Sequence, residues 1–292
     1  MMESAAFFGA GTAAIWGVTD LVARFSGRSV GVLVSALGLM AIGSVALLPY
    51  ILATGATIDW DAGGFWLIAA SGLGMAFGTL LLFAALTRGP VSLASPVVAS
   101  YPAITVPASL ALGARPEPIH WLAMLGTMAG VWLVARAVAR HADSQLGDYA
   151  RSNQRGTLLL AIASAVLFAL ALIAADLAIE RYGWLQTLIG SRLVGAAAFA
   201  IVLAFRRHTV RPMPAGTWLL LLVLALLDTS GHAVLYVGLA LPDGEYAVVA
   251  SAAYTGVTTV LAWLFLREPV SRIQWLGIGL IIGGVAVLAS AG

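Results

Sequence analysis

Ten apolar runs separated by short connections dominate this sequence of 292 residues. A helix needs about 20 apolar residues to cross a hydrocarbon core about 30 Å thick, and most of the runs have that length. Only 10% of the residues are charged, against about 25% in a soluble domain. We therefore predict an all-α integral membrane protein with ten transmembrane helices, at residues 5–23, 30–53, 64–87, 91–112, 119–139, 156–180, 184–205, 215–239, 245–266 and 272–290.

Composition restricts the chemistry of this chain. It contains no cysteine, which excludes thiolate metal ligands and cysteine nucleophiles. Its four histidines, at positions 120, 141, 208 and 232, have no metal-ligand spacing, and no Walker A sequence is present. No basic run is long enough to indicate nucleic-acid binding. We therefore predict no catalytic residue, no metal and no nucleic-acid partner, and regard a membrane enzyme or a structural protein as the weaker interpretation.

The arginines predict an orientation in the membrane. Of fifteen arginines, twelve lie in the connections that follow odd-numbered helices or at the adjoining helix ends, and two lie in the even-numbered connections. Arg192 falls inside the seventh run. Because arginine-rich loops stay in the cytoplasm, we expect both termini outside, in the periplasm, together with the acidic loop that contains Asp59 and Asp61.

The two halves of the chain repeat one another. A shift of 153 residues aligns FGTLLLFAALTRGPVSLASPVVASYPAIT with SGHAVLYVGLALPDGEYAVVASAAYTGVT, and it places Tyr101 opposite Tyr254. Each half has five spans, an odd number, so the second half must run opposite to the first. This is an inverted repeat, on which many secondary transporters build alternating access. We assign residues 1–140 to the first repeat, 141–155 to a cytoplasmic linker and 156–292 to the second repeat.

Two ionisable residues interrupt the apolar run LALLDTSGHAVLY. Asp228 and His232 are four residues apart and share one helix face with Tyr236. A carboxylate near the membrane midplane costs at least a few kcal/mol unless it faces a wet cavity or a partner. Asp228 and His232 are therefore candidate solute-binding residues. The structural alternative is that Asp228 is protonated or caps a local break, and that His232 donates to a backbone carbonyl.

Three other charges lie inside the apolar runs. Asp176 and Arg192 lie at similar depths on consecutive helices, and we predict a structural ion pair between them. The alternative is that Arg192 binds the carboxylate of a solute. Asp20 lies near the predicted end of the first helix beside Arg24, which indicates an interfacial position; the alternative is a role in proton or substrate entry.

Aromatic and hydroxyl side chains supply the rest of the predicted cavity. The repeat symmetry places Tyr101 and Tyr254 on opposing sides of one central space. Such a lining suits a neutral or zwitterionic solute with an apolar side chain, although plain helix packing is the alternative. Three prolines, Pro96, Pro102 and Pro107, should kink the fourth helix. The remaining predicted lining residues are Trp16, Thr79, Phe83, Ser95, Tyr236 and Ser251.

Several motifs resemble a known family. They are FAALTRGPVSLASPVVASYPAITV, the Pro-Glu-Pro of residues 116–118 and WLAMLGTMAGVWLVA, with YVGLAL, REPVSRIQW and GIGLIIGGVAVL in the second half. Together they resemble the ten-helix EamA-type branch of the drug/metabolite transporter superfamily, over residues 10 to 290.

This resemblance implies a secondary transporter that needs no cofactor and lies in the cell membrane, the inner membrane in a bacterium. Within the branch the sequence is most similar to amino-acid exporters, including the YddG-like exporters of aromatic amino acids. We therefore expect export of small metabolites, namely amino acids that include aromatic or other large neutral ones. Sugars, nucleosides and cationic drugs remain open as other solutes. Pairs of glycines four residues apart allow either a monomer or a weak homodimer.

Overall fold

The structure, a computed structural model, describes residues 4–55, 63–89, 91–145, 148–205 and 213–290. Within these ranges all regular secondary structure is helical, and there is no strand. The helices are α1 (Ala5–Val30), α2 (Val32–Ala46), α3 (Leu48–Thr54), α4 (Phe65–Arg88), α5 (Val91–Val98), α6 (Pro102–Ala111), α7 (Pro118–Gln145), α8 (Asp148–Phe205), α9 (Ala215–Leu239), α10 (Gly244–Ser251), α11 (Tyr254–Leu266) and α12 (Arg272–Ser290).

The predicted fold class is confirmed. Nine segments of the described chain are long and apolar enough to cross a membrane. One of them, Arg155–Phe205, has 51 residues and would be about 77 Å long as a single helix, more than twice the thickness of the hydrocarbon core. Its backbone leaves the helical region at Gly183, and division there gives the ten predicted spans.

The same glycine turn occurs in both halves. Gly31 separates α1 from α2 with φ 85° and ψ 151°, and Gly183 separates the two arms of α8 with φ 77° and ψ 164°. Residues with a side chain rarely adopt these positive φ values, whereas glycine adopts them at little cost. The turn at Gly31 comes later than predicted, because α1 continues to Val30 instead of ending near residue 23.

One span in each half is broken in its middle. Residues 99–101 separate α5 from α6, and Ala252 and Ala253 separate α10 from α11. Pro102 begins α6, whereas Pro96 and Pro107 lie inside helices. The second-half break contains no proline and is closed by hydrogen bonds between residues three apart. The break is therefore a property of the repeated fold, and proline alone does not explain it.

The first helix of each half packs mainly against the other half. Helix α1 lies against α9, α10 and α11, and α8 lies against α4, α5 and α6. Equivalent hydrogen bonds join these pairs: Thr12 donates to the carbonyl of Gly231 across 3.2 Å, and Ser164 donates to the carbonyl of Gly78 across 2.8 Å. Since Thr12 and Ser164 are 152 residues apart, the repeat extends to these helices.

The last helix of each half forms a separate contact at the edge of the bundle. Helices α7 and α12 pack together through Gly130 and Gly277, where an added methyl group would approach the opposite backbone carbonyl within 2.7 Å. Gly126, Gly279 and Gly283 have open space beside them. The glycine pattern therefore serves packing inside the bundle at Gly130, and the predicted oligomeric state stays a prediction.

Arginines of the first and third connections lie at one end of the bundle, here called the arginine-rich end. Arg24 contacts Glu268, Arg28 contacts the carbonyl of Thr87, and Arg88 lies beside Gly156. The predicted linker 141–155 lies mostly in α7 and α8, with residues 146 and 147 outside the described chain. Arg206, Arg207, Arg211, Asp59 and Asp61, also used in the orientation argument, lie outside the described residues.

Candidate functional site

A central cavity lies between the two halves. It encloses about 520 Å³, counting the space at its mouth. Helices α1, α4, α8, α9 and α11 contribute to its wall, together with the break between α5 and α6. The lining residues are Trp16, Thr19, Asp20, Met75, Thr79, Leu82, Phe83, Tyr101, Phe168, Leu172, Asp228, His232 and Tyr254.

The structure brings most of the predicted lining residues together. Seven of them, Trp16, Thr79, Phe83, Tyr101, Asp228, His232 and Tyr254, border the central cavity. Ser95 and Ser251 are buried, and the hydroxyl of Ser251 and the backbone carbonyl of Ser95 form hydrogen bonds with the two tyrosines. Tyr236 borders a second, smaller cavity described below.

Both members of several repeat pairs border the central cavity. Asp228 and His232 of α9 correspond to Met75 and Thr79 of α4, at a shift of 153 residues, and all four border the cavity. At the shift of 152 found for the first helices, Trp16 corresponds to Phe168 and Asp20 to Leu172, which border it too. The duplicated scaffold thus has its acidic and imidazole groups on α1 and α9 and uncharged side chains on α8 and α4.

Two tyrosines join the halves at this cavity. The hydroxyl of Tyr101 lies 2.6 Å from the hydroxyl of Ser251, and Tyr254 donates to the carbonyl of Ser95 across 3.2 Å. Each tyrosine therefore reaches from its own half into the other. Tyr254 also meets the indole of Trp16 edge to face, with ring centroids 6.0 Å apart. These two hydrogen bonds hold the tyrosine rings in place at the wall of the cavity.

Arg192, Asp228 and His232 form a buried polar cluster. Arg192 Nη2 donates to Asp228 Oδ2 across 2.7 Å, and His232 Nδ1 lies 3.3 Å from the same oxygen. His232 Nδ1 also lies 2.9 Å from the backbone carbonyl of Asp228, the contact that the structural alternative predicted. The imidazole contacts the indole of Trp16 in a tilted arrangement, with ring centroids 4.8 Å apart and 59° between the ring planes. Asp228 thus has a cationic partner, which lowers the cost of its burial.

The predicted ion pair between Asp176 and Arg192 is wrong. Arg192 pairs with Asp228 instead, and no ion pair of Asp176 occurs within the described part of the chain. The prediction compared only the depths of the two residues along their helices. The side chain of Arg192 extends to α2 and α9, where its guanidinium lies beside Gly43 and Thr229. The face of the helix, which depth does not specify, decides the partner.

Asp20 is a site residue that the sequence argument placed at the membrane interface. Because α1 continues to Val30, Asp20 lies ten residues, or about 15 Å, from the helix end. It is 4% exposed, borders the central cavity and accepts a hydrogen bond from Thr258 across 3.1 Å. No cation of the described chain forms an ion pair with it. A carboxylate inside the membrane is costly unless it faces a wet cavity or a partner, and this made Asp228 a candidate. The same reasoning applies to Asp20 once the end of α1 is placed at Val30.

A smaller cavity lies next to the central one, with about 230 Å³ of empty space when the open space at its mouth is counted. Met75 and His232 border both cavities, so the two spaces adjoin at these side chains. The rest of its lining is Met40, Leu188, Ser191, Arg192 and Tyr236. Among the described residues, no group of three His, Asp or Glu side chains is arranged to hold a metal ion.

Polar contacts connect the halves at both ends of the bundle. At the arginine-rich end, Arg24 of α1 contacts Glu268, which follows α11, across 2.8 Å. Toward the opposite end, the hydroxyl of Tyr246 on α10 lies 2.8 Å from Nδ1 of His120 on α7. The central cavity therefore lies between two cross-half contacts, one near each end.

An inverted repeat with a polar and aromatic cavity between its halves is the architecture of many membrane carriers. The chain belongs to the EamA-like transporter family, whose sequence model matches residues 3–136 and again residues 155–290. It is therefore a multi-pass membrane transporter of the drug/metabolite transporter superfamily.

Comparison with solved structures supports the fold. A solved structure titled "Crystal structure of protein" has a TM-score of 0.76 with this chain and 23% sequence identity, and the match covers 99% of this chain and 100% of that one. At this identity the likeness shows the fold alone. A comparison with curated proteins gave no significant match.

Proposed function

We propose that this protein is a secondary transporter that exports amino acids, including aromatic and other large neutral ones, by alternating access. The observation that carries the proposal is the central cavity, which combines an aromatic wall with ionisable groups in the middle of the membrane. Trp16, Phe83, Tyr101, Phe168 and Tyr254 offer apolar surface for a side chain. Asp20, Asp228 and His232 offer groups that a zwitterionic backbone requires.

The two cross-half contacts supply the means of alternation. Loss of the contact between Arg24 and Glu268 would open the arginine-rich end, and loss of the contact between Tyr246 and His120 would open the opposite end. The broken spans α5/α6 and α10/α11 lie beside the cavity and provide positions where helices can bend. In this mechanism the solute in the central cavity is accessible from one side at a time.

The proposed setting is the cell membrane, the inner membrane in a bacterium, with the arginine-rich end in the cytoplasm and both termini outside. The distribution of arginine supports this orientation. A monomer contains the whole central cavity and is the proposed transporting unit, with a weak homodimer as the other assembly.

Organic cations are a second candidate class of solute. Asp20 is a buried carboxylate without an ion pair in the described chain, and it borders the same cavity as five aromatic side chains. Carboxylates and aromatic faces together favour ammonium groups. Sugars and nucleosides, which carry no charge, can pack on the aromatic side chains but supply no cation to pair with the carboxylate of Asp20.

Counterflow into liposomes tests the proposed function. Purified protein would be reconstituted and offered labelled phenylalanine, leucine, glucose, a nucleoside and a quaternary amine, with and without a pH gradient. We expect uptake of phenylalanine and leucine. His232→Ala should lower that uptake about tenfold, since loss of a polar contact of about 1.4 kcal/mol changes binding by that factor.

Ser230→Ala is the matched control, because Ser230 is an exposed hydroxyl on the same helix and lies away from the cavity. It should transport like the wild type. Uptake of the quaternary amine without uptake of amino acids would replace the first candidate by the second, and absence of all flux would contradict both.

A further inference from the structure

The smaller cavity contains an incompletely bonded guanidinium. Arg192 is 3% exposed and borders this cavity. Only its Nη2 has hydrogen-bond partners, whereas Nε and Nη1 have none. A guanidinium carries five N–H donors and no acceptor, and a buried donor without a partner is costly. The arrangement therefore leaves donors ready for an additional acceptor.

The space for that acceptor is the smaller cavity, which Arg192 borders. On another side Gly43 of α2 packs closely against the guanidinium, because an added methyl group there would lie 2.8 Å from Nη1. The hydroxyl of Thr229 lies beside the same position and is itself unpartnered. Ser191 and Tyr236, which also border the cavity, connect through Ser71 at 3.2 and 3.5 Å. Hydroxyl groups and a guanidinium are the donors that hold small anions.

The position of the cavity links it to the central site. Met75 and His232 border both spaces, so a group bound at Arg192 lies one side chain away from the central cavity. A solute with an apolar side chain in the central cavity could place a compact anionic end at Arg192. Asp228, which holds Nη2, keeps the guanidinium in place without using its other nitrogens.

We propose that the smaller cavity is an anion subsite, in which Nε and Nη1 of Arg192 bind a carboxylate or an anion of similar size. The anion is either the carboxylate of the transported solute or a free ion such as chloride. The first source rests on the proposed function; the second does not.

Binding to detergent-solubilised full-length protein distinguishes the two sources. In one arm, calorimetry compares phenylalanine with phenylalanine methyl ester, which keeps the ammonium group and the ring. In the other arm, thermal unfolding is followed while chloride replaces a bulky sulfonate anion, which carries no carboxylate, at constant ionic strength. If the solute supplies the anion, the acid should bind about 10- to 100-fold more tightly than the ester. If a free ion does, chloride should raise the unfolding temperature.

Two variants test whether Arg192 causes the preference for the acid or the stabilisation by chloride. Arg192→Gln combined with Asp228→Asn removes both charges together and leaves neither unpaired. Arg192→Lys keeps a cation beside Asp228 but removes the planar fork with its Nε and Nη1 donors, and it covers the case in which the double variant does not fold. Arg136→Gln is the control, because Arg136 is exposed and packs over Trp132.

The subsite is supported if both Arg192 variants reduce the preference for the acid to within about threefold, or abolish the chloride effect, while the control retains it. It is overturned if the preference survives in Arg192→Lys, or if the wild type shows neither effect. An anion effect that depends on Arg192 without amino-acid flux in liposomes would keep the subsite and reject the proposed function. If Arg192→Lys leaves the flux unchanged, and if the acid and the ester bind equally, the proposed function is kept and the subsite is rejected.

Discussion

Arg24 and Glu268 form the ion pair that joins the two halves at the arginine-rich end, with 2.8 Å between Nη1 and Oε1. The same carboxylate oxygen accepts the backbone N–H of Val91 across 3.3 Å. One carboxylate therefore connects α1, the start of α5 and the segment after α11. Both side chains of the pair are 14% exposed, so water reaches this contact and can separate it.

Glu268→Gln should increase access to the central cavity from the arginine-rich end. The chain has no cysteine, so a single Thr79→Cys substitution reports on the cavity without background. A partly exposed ion pair is worth up to about 1 kcal/mol, which corresponds to roughly a fivefold change in population. The measurement is the rate of labelling by a membrane-impermeant thiol reagent added to one side. Arg272→Gln, an exposed charge on α12, should leave that rate unchanged.

Asp228→Asn should destabilise the protein more than the combined substitution Asp228→Asn and Arg192→Gln. Removal of one partner leaves a buried charge unpaired, which costs about 3–5 kcal/mol, whereas removal of both leaves none. The free energy of unfolding in mixed micelles, measured by titration with SDS, checks this order. A single variant as stable as the double variant would mean that the pair does not hold α8 to α9.

Gly130→Ala should weaken the contact between α7 and α12, and Gly126→Ala should not. A methyl group at Gly130 would lie 2.5 Å from the carbonyl oxygen of Gly277, whereas nothing lies within 4 Å at Gly126. We expect a loss of about 1–3 kcal/mol for the first and a gain of up to about 1 kcal/mol for the second. The measurement is the unfolding temperature of each variant. Equal unfolding temperatures for Gly130→Ala and Gly126→Ala would contradict the packing described for these helices.

Tyr101→Phe should preserve transport and lower stability slightly, and Tyr101→Ala should abolish transport. The phenylalanine keeps the aromatic wall and loses only the hydroxyl contact with Ser251, worth about 1 kcal/mol. The alanine removes the ring itself from the cavity. Counterflow of phenylalanine together with the unfolding temperature separates the two effects. Full transport by the alanine variant would show that the solute does not contact this side of the cavity.

Apolar run length and the internal repeat were enough to predict the helical membrane fold. Runs near 20 residues predict spans because the membrane fixes their length. The repeat aligned Tyr101 with Tyr254, and both border the central cavity. The breaks at residues 99–101 and 252–253 are less predictable, because the alanines of the second break favour helix. Contacts within the folded bundle override that local preference.

Two features of the candidate site required the structure. Asp20 was assigned to the interface because its helix was ended near residue 23, and α1 crosses that polar stretch to Val30. The partner of Arg192 depends on the rotation of α8 about its axis, which the apolar pattern leaves undefined when a helix is hydrophobic on all sides. Gly43, which makes room for the guanidinium, carries no signal in the sequence that would separate it from the other glycines.

The exchange of first helices between the halves has a consequence for biosynthesis. Helix α1 ends at Val30, and α9, against which it packs, begins at Ala215, about 185 residues later. At about 5–20 residues per second, α1 waits roughly 10 to 40 s for that partner. During this interval Asp20 and Thr12 lack Thr258 and Gly231, the second-half residues that bond to them in the finished protein. The nascent chain therefore depends on the insertion machinery or on early neighbours to shelter the polar face of its first helix.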